Sequence, residues 1–120
     1  YLKISRAAEW VTLKSGQRII TQGMPVPDLY LIYNGTVDVM VDGEEVAHLR
    51  DGEFVGEMSF LTEKVATATC KVKYDAQCLV WKQREFKELL KRNPSLYFTI
   101  QSVLSAQVSD KLVSSSKKDD

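Results

Sequence analysis

Between Glu9 and Lys82 the chain is a succession of short apolar or alternating stretches, and all six of its glycines punctuate them, from Gly16 to Gly56. Residues 9–13, 17–21, 29–33, 36–41, 45–50 and 53–55 are rich in Val, Ile, Leu, Tyr and Thr and read as strands. Lys14-Ser15-Gly16 turns between the first two. Met24-Pro25-Val26-Pro27-Asp28 is a loop before the third, because proline has no N–H to offer a central sheet position. Asp42-Gly43 lies between two such runs and predicts a tight type I′ hairpin, in which both central residues take positive φ. Residues 66–73 set apolar even positions against polar odd ones, as a half-buried strand does. Tyr74-Asp75-Ala76 is expected to turn the chain into a further strand, 77–82, apolar enough to be covered on both faces.

The period then changes. Over residues 83–92, Phe86, Leu89 and Leu90 fall at helical spacing, and Asn93-Pro94 ends that helix. Pro94 suits the first position of another, over 94–113, where Leu96, Ile100, Val103, Leu104, Val108 and Leu112 form a stripe. Such a stripe serves packing on the strands, a lid over a ligand, or contact with a second copy of the chain. Residues 114–120 are polar and expected to be disordered. Residues 1–8 read as a short amphipathic helix with Tyr1, Ile4 and Ala8 on one side, the end of a linker from something upstream. The expected fold is mainly β with C-terminal helices: an antiparallel β-roll or jelly roll (a double-stranded β-helix) of about eight strands, with a short N-terminal helix, a turn that can cradle phosphate, and two C-terminal helices. The domain proper spans 9–113.

The candidate chemistry sits where strands give way to helices, at Gly56-Glu57-Met58-Ser59. A strand reads into a glycine, a carboxylate follows, and a helical turn opens. The first N–H groups of a helix have no internal partner and carry the positive end of its dipole, so the amides of Gly56, Met58 and Ser59 can hold an anion. Glu57 beside them can accept hydrogen bonds from a sugar hydroxyl. Phosphate and ribose together point to a nucleotide. The plain alternatives are a carboxylate capping nearby amides and a turn kept for its geometry alone.

These residues carry a resemblance. Asp51-Gly52-Glu53-Phe54-Val55-Gly56-Glu57-Met58-Ser59-Phe60-Leu61 resembles the phosphate-binding cassette of cyclic-nucleotide-binding domains, and the likeness extends upstream through Leu13-Lys14-Ser15-Gly16, Ile20-Thr21-Gln22-Gly23 and 29–37. It covers 9–112 and implies a roll that binds a cyclic nucleotide, cyclic AMP foremost, with the ribose 2′-hydroxyl on Glu57. In that family an arginine nine residues beyond the cassette glutamate pairs with the phosphate; here the position is Ala66, preceded by Val65 and followed by Thr67-Ala68-Thr69. A charge-assisted contact of that kind contributes about 1.5–3 kcal/mol, so its loss weakens binding roughly tenfold to over a hundredfold. Lys64 is the nearest cation able to stand in, and the Thr67 hydroxyl can bond a phosphate or a purine edge; both also read as solvent-facing residues.

Composition narrows the field. Sixteen basic residues balance sixteen acidic ones in 120 residues, without the basic excess of a nucleic-acid-binding surface. No apolar run approaches the ~18 residues of a spanning helix, as expected of a soluble piece. The chain opens on Tyr1 rather than methionine, as expected of a fragment or processed form. Cys70 and Cys78 lack metal spacing, and Cys70 reads as a buried core thiol. Trp10 and Trp81 read as core. The lone histidine, His48, cannot build a histidine-rich metal centre, so no metal and no other cofactor is expected. No nucleophile–base pair is legible, so no catalysis is expected.

Two functional readings stand side by side. One is a regulatory sensor that binds a cyclic nucleotide and moves its C-terminal helices. The other is a module that has kept the fold, given up the ligand, and works in homo-oligomerisation or protein interaction. A second resemblance, to the Popeye domain, rests on the missing arginine, Trp81 and the Asp110-Lys111-Leu112 stretch of the final helix, although the Popeye cassette lacks the Gly-Glu pattern retained here. It implies a domain on the cytoplasmic face of a membrane, anchored through segments upstream of Tyr1. A fused channel or transporter is the other partner consistent with the resemblance.

Overall fold

The computed structural model describes residues 8–119, with side chains described for residues 8–106. The helix expected over 1–8 therefore lies outside the described residues except for Ala8, which belongs to no element. Six strands follow: β1 (Glu9–Leu13), β2 (Arg18–Ile20), β3 (Asp28–Val41), β4 (Glu44–Leu49), β5 (Phe54–Val55) and β6 (Thr69–Lys82). Among the described residues there are also three helices: α1 (Glu57–Thr62), between β5 and β6, then α2 (Gln83–Lys91) and α3 (Pro94–Asp119). The class is the expected one, an antiparallel sheet with helices at its C-terminal end.

Six strands stand where about eight are expected, because two predicted breaks are bends. β3 continues through Asn34-Gly35, and β6 continues through Tyr74-Asp75-Ala76. The polar residues of the second stretch serve a neighbour instead of turning their own strand. Asp75 accepts the Ser15 N–H at 2.8 Å, and the Ser15 hydroxyl donates to the Lys73 carbonyl at 2.7 Å, tying the β1–β2 turn to β6. The long strands pair with each other, and their register slips repeatedly between Ile32 and Val37. At that bend Gly35 has φ +121°, and a Cβ built on it would lie 2.5 Å from the Ala76 Cβ. Glycine against alanine lets the two backbones approach and turn together.

The bend divides the sheet into the two faces of a roll. The half of the long pair holding Asp28–Ile32 of β3 is flanked by β5 and β1; the half holding Val37–Met40 is flanked by β4 and β2. The β3–β4 hairpin closes through Asp42 (φ +53°) and Gly43 (φ +84°), the positive pair that Asp-Gly predicts. One irregularity matters below. Val39 faces Ala47 and Met40 faces Glu45, so Val46 is an extra residue in β4, a β-bulge.

Two apolar clusters hold the roll. One lies between its faces, around Ile32, Val37, Leu49, Val55, Val72 and Cys78. The other seats the helices, around Leu29, Trp81, Phe86, Leu90 and Leu104. Trp81 is core as expected, stacked on Phe86 with ring centres 5.3 Å apart. Trp10 is not: it is 61% exposed on the outer face of β1, touching the Tyr33 ring edge-on at 5.5 Å. Strand alternation turns it outward, because Val11 on the other side of the strand packs against the core.

In α3, Leu96, Ile100 and Leu104 pack on the roll, while Tyr97, Phe98 and Val103 are exposed. The predicted stripe thus seats the helix on its own domain, and Val103 falls outside that contact. The side chains of Val108 and Leu112 lie outside the described ones. The helix continues to Asp119, where a disordered tail is expected from composition. No glycine or proline follows Pro94 to end it.

Candidate functional site

β5 runs into Gly56, which caps α1 in the left-handed region (φ +93°, ψ +6°) with no side-chain cap hydrogen bond. Glycine is required twice here. The dihedral disfavours any Cβ, and an added Cβ would sit 3.0 Å from the Asp28 carbonyl oxygen and 3.4 Å from the Val26 side chain. α1 is a single short turn and a half. It ends at Glu63 (φ +60°), whose N–H bonds the Ser59 carbonyl at 2.8 Å. The Ser59 hydroxyl donates to the Lys64 carbonyl at 2.6 Å, which fixes how the chain leaves the helix. Ala66 is then pinned to the β2–β3 loop: its N–H bonds the Met24 carbonyl at 2.9 Å, and its carbonyl accepts the Gly23 N–H at 2.8 Å. This is why the strand predicted to start at 66 starts at Thr69, although Ala66, Cys70 and Val72 are buried at even positions and Ala68 is half-buried.

α1 and the Ala66–Ala68 segment enclose a cavity of about 360 Å³ against the sheet. That volume lies in the range of small-molecule sites, about 300–1,000 Å³. Ile20, Val26, Val39 and Val41 give it an apolar wall, and the β-bulge turns both Val46 and Ala47 toward it. Of the expected ligand residues, Gly56, Glu57, Met58, Ser59, Ala66 and Thr67 all line this cavity. Glu57 is 1% exposed, a carboxylate within a mostly apolar wall. The amides of Glu57, Met58 and Ser59 belong to the first turn of α1, where a helix has no carbonyl four residues back to accept them. Thr67 is exposed at the rim, its hydroxyl 3.4 Å from the Met58 sulfur.

Lys64 does not join them. The left-handed turn at Glu63 sends it outward, where it lines a neighbouring groove with Lys82, Arg84 and Lys87. Among the described residues no Lys, Arg or His lines the cavity. The groove carries its own balance of charge. Lys87 pairs with Glu63 at 2.8 Å and stands over the Phe60 ring at 5.3 Å. The hydrogen bond and charge of Lys87 hold the Glu63 carboxyl below its usual value. Burial pushes the Asp28 carboxyl up, against the pull of Lys82.

Two contacts carry the cavity's geometry to the helices, and the sequence does not announce either. Gln83, the first residue of α2, is buried, and its amide donates to the Asp28 carbonyl at 3.1 Å and the Gly56 carbonyl at 3.4 Å. Its backbone N–H bonds Pro27 at 2.8 Å. In parallel, Phe86 of α2 packs between Phe60 of α1 (5.5 Å) and Trp81 of β6. A polar residue between an apolar strand and an amphipathic helix was the one available signal for Gln83.

Cys70 lines the cavity and Cys78 lies in the core. Burial pushes their thiols up to about 12 and about 11. The thiolate is the reactive form, so at pH 8 both are expected to alkylate with iodoacetamide roughly a hundredfold or more slower in the native protein than in denaturant. Fast native labelling, read by mass spectrometry, would contradict the packing described here.

Comparison with known proteins bears on the whole arrangement. "Lysophospholipase nte1" of Neurospora crassa is 27% identical over 112 residues, a match covering 89% of this chain and 7% of that protein. The chain thus spans a small fraction of the curated relatives it matches. Among solved structures, a cyclic nucleotide-binding domain from Methylobacillus flagellatus superposes with a TM-score of 0.87 at 21% identity, covering 97% of this chain and 68% of that one. The cAMP-bound PfPKA-R (141–441) superposes at 0.78, with 21% identity and coverage of 96% and 38%. Both likenesses show the fold. The family description "Cyclic nucleotide-binding domain" matches residues 10–93, from β1 through the end of α2 and with the whole cavity inside it. A roll bent at Gly35, a glycine-capped turn carrying a buried glutamate, and that match over most of the chain place it in one family: it belongs to the cyclic nucleotide-binding domains.

Proposed function

We propose that this domain is a regulatory sensor within a larger protein, and that its cavity takes a cyclic nucleotide, cyclic AMP foremost. The observation that carries this reading is Glu57, a carboxylate 1% exposed in the wall of a cavity of small-molecule size. A carboxylate set in a cavity wall is a strong hydrogen-bond acceptor, and a ribose hydroxyl is a donor of the right kind. The phosphate would rest on the first-turn amides of α1. With Ala66 in the arginine's place, it does so without a guanidinium, so the affinity is low for the family. Ligand that moves α1 also moves Gly56 and Phe60, and through Gln83 and Phe86 it biases the position of α2. The lysophospholipase relatives, of whose length this chain matches a small part, favour a module within a longer chain; the Popeye resemblance favours a membrane-anchored one, with this domain on the cytoplasmic side. Among the described residues no helix is long and apolar enough to cross a membrane.

The test is calorimetric titration of the parent and of Glu57→Gln with cyclic AMP and cyclic GMP. The parent is expected to bind cyclic AMP below millimolar concentration, and Glu57→Gln to lose roughly tenfold or more, since the hydrogen bond is to a charged acceptor. Absence of binding by the parent would transfer the case to the second reading, self-association without ligand. That reading draws on a cavity without a cation and on the exposed Tyr97, Phe98 and Val103 of α3. Sedimentation of the parent at several concentrations decides it, because a strict monomer would remove its support.

A further inference from the structure

Behind the cavity wall, the β-bulge in β4 has a second consequence. In a regular strand residues 45 and 48 point to opposite faces. Here Val46 and Ala47 both turn inward, so Glu45 and His48 both stand on the outer face. Asp38, which pairs with His48 across the strands, stands there too. The His48 Nδ1 lies 2.7 Å from the Asp38 carboxylate, and its Nε2 lies 2.6 Å from the Glu45 carboxylate. One ligand atom from each of the three residues falls within 4.8 Å of the others.

This arrangement has a chemical tension. A neutral imidazole carries a single N–H, which satisfies a single carboxylate; its other nitrogen then presents a lone pair to the second carboxylate at hydrogen-bond distance. A cation between them resolves the conflict. A second ring proton is one such cation and a metal ion is another. We propose that Asp38, Glu45 and His48 form a surface site for a divalent transition-metal ion of the zinc class. The donor set of an imidazole nitrogen and two carboxylate oxygens suits Zn²⁺ or Co²⁺ and is too nitrogen-bearing for Ca²⁺ or Mg²⁺. An ion takes one ring nitrogen, so the carboxylate now on the other nitrogen must swing round the ring to join it. Tetrahedral ligands at about 2.0–2.1 Å from the ion lie about 3.3 Å apart, and the three ligand atoms, within 4.8 Å of one another, must close to that spacing. Partly exposed side chains on a hairpin can do this by side-chain rotation. Water fills the remaining position, since His48 and Glu45 face solvent. A bound ion would cross-link β3 to β4 directly behind Val39, Val46 and Ala47, and so stiffen one wall of the cavity. The site does not depend on what the cavity holds.

The experiment uses the 120-residue chain, titrated with CoCl₂ under visible absorption and with ZnCl₂ in a calorimeter. One-to-one saturable binding is expected, with tetrahedral Co²⁺ bands, no sulfur charge-transfer band, and a melting temperature that rises with Zn²⁺ concentration. His48→Ala is expected to weaken both metals at least roughly tenfold. Asp38→Asn, nearly isosteric and on the opposite strand, is expected to weaken them as well, which keeps the test valid should the histidine variant disturb the hairpin. No saturable binding would overturn the site and leave an ion triad only. Binding that survives both substitutions, or that shows a sulfur band from Cys70 or Cys78, would overturn it equally.

Discussion

Ala66→Arg is expected to bind cyclic AMP roughly tenfold to over a hundredfold more tightly than the parent, the equivalent of about 1.5–3 kcal/mol for a charge-assisted contact to phosphate. Ala66 is buried at the cavity wall, facing the same space as Glu57 and the first turn of α1. Its backbone is held on both sides by Gly23 and Met24, so a longer side chain has a fixed origin and projects into the void. Nothing cationic among the described residues competes for the anion there. Arginine suits the role better than lysine because its planar fork meets two phosphate oxygens at once. The control is Ala66→Gln, which adds length and hydrogen-bonding capacity without charge; it should gain little. Titration of the three proteins side by side separates the cases. A gain confined to arginine places the phosphate beside residue 66, and an unchanged affinity would mean that the ligand, if bound, sits elsewhere in the cavity.

Gly35→Ala is expected to be the most destabilising single methyl that can be added to this fold. The new Cβ would fall 2.5 Å from the Ala76 Cβ, 2.6 Å from the Ala76 Cα and 3.0 Å from the Asp75 carbonyl, on a residue with φ +121°. Two of these atoms are backbone and cannot rotate away. A strained dihedral costs about 1–3 kcal/mol and overpacking about 1–3 more, giving about 2–6 kcal/mol against a domain stability of about 5–15. A fall of the urea midpoint by a third or more is the expected result. Gly43→Ala makes the comparison: it has a positive φ but no heavy atom within 4 Å of the added Cβ, so only the conformational part of the cost applies. Equal effects from the two substitutions would show that the Gly35–Ala76 approach contributes nothing.

Much of this was legible in the residues. The alternation over 66–73, the Asp-Gly hairpin, the switch of period at Gln83 and the proline at the head of α3 each report a local preference that the tertiary structure keeps. The Gly56-Glu57 turn was legible for the same reason, since a left-handed cap next to a carboxylate is a property of adjacent residues. Features built from residues far apart were not. Asn34-Gly35 and Tyr74-Asp75-Ala76 look like turns, yet they are the matched bends of two long strands, which becomes visible only when Gly35 meets Ala76. Trp10 looks like core by its size, but the phase of β1 sets it outside. Lys64 looks like a substitute for the missing guanidinium, two positions away in sequence, and one left-handed residue at Glu63 puts it in a different groove.

Sequence alone determined the class of fold, the place of the cassette in it and the absence of an arginine at position 66, because each depends on neighbours within a few residues. Only the tertiary structure decided that six of the expected residues share one cavity lined by no cation among the described residues, that Gln83 and Phe86 join it to the helices, and that a bulge brings His48 between two carboxylates. The physical reason is the same in each case. Register, bulges and bends are settled by burial across the whole sheet, and no stretch of chain carries that information by itself.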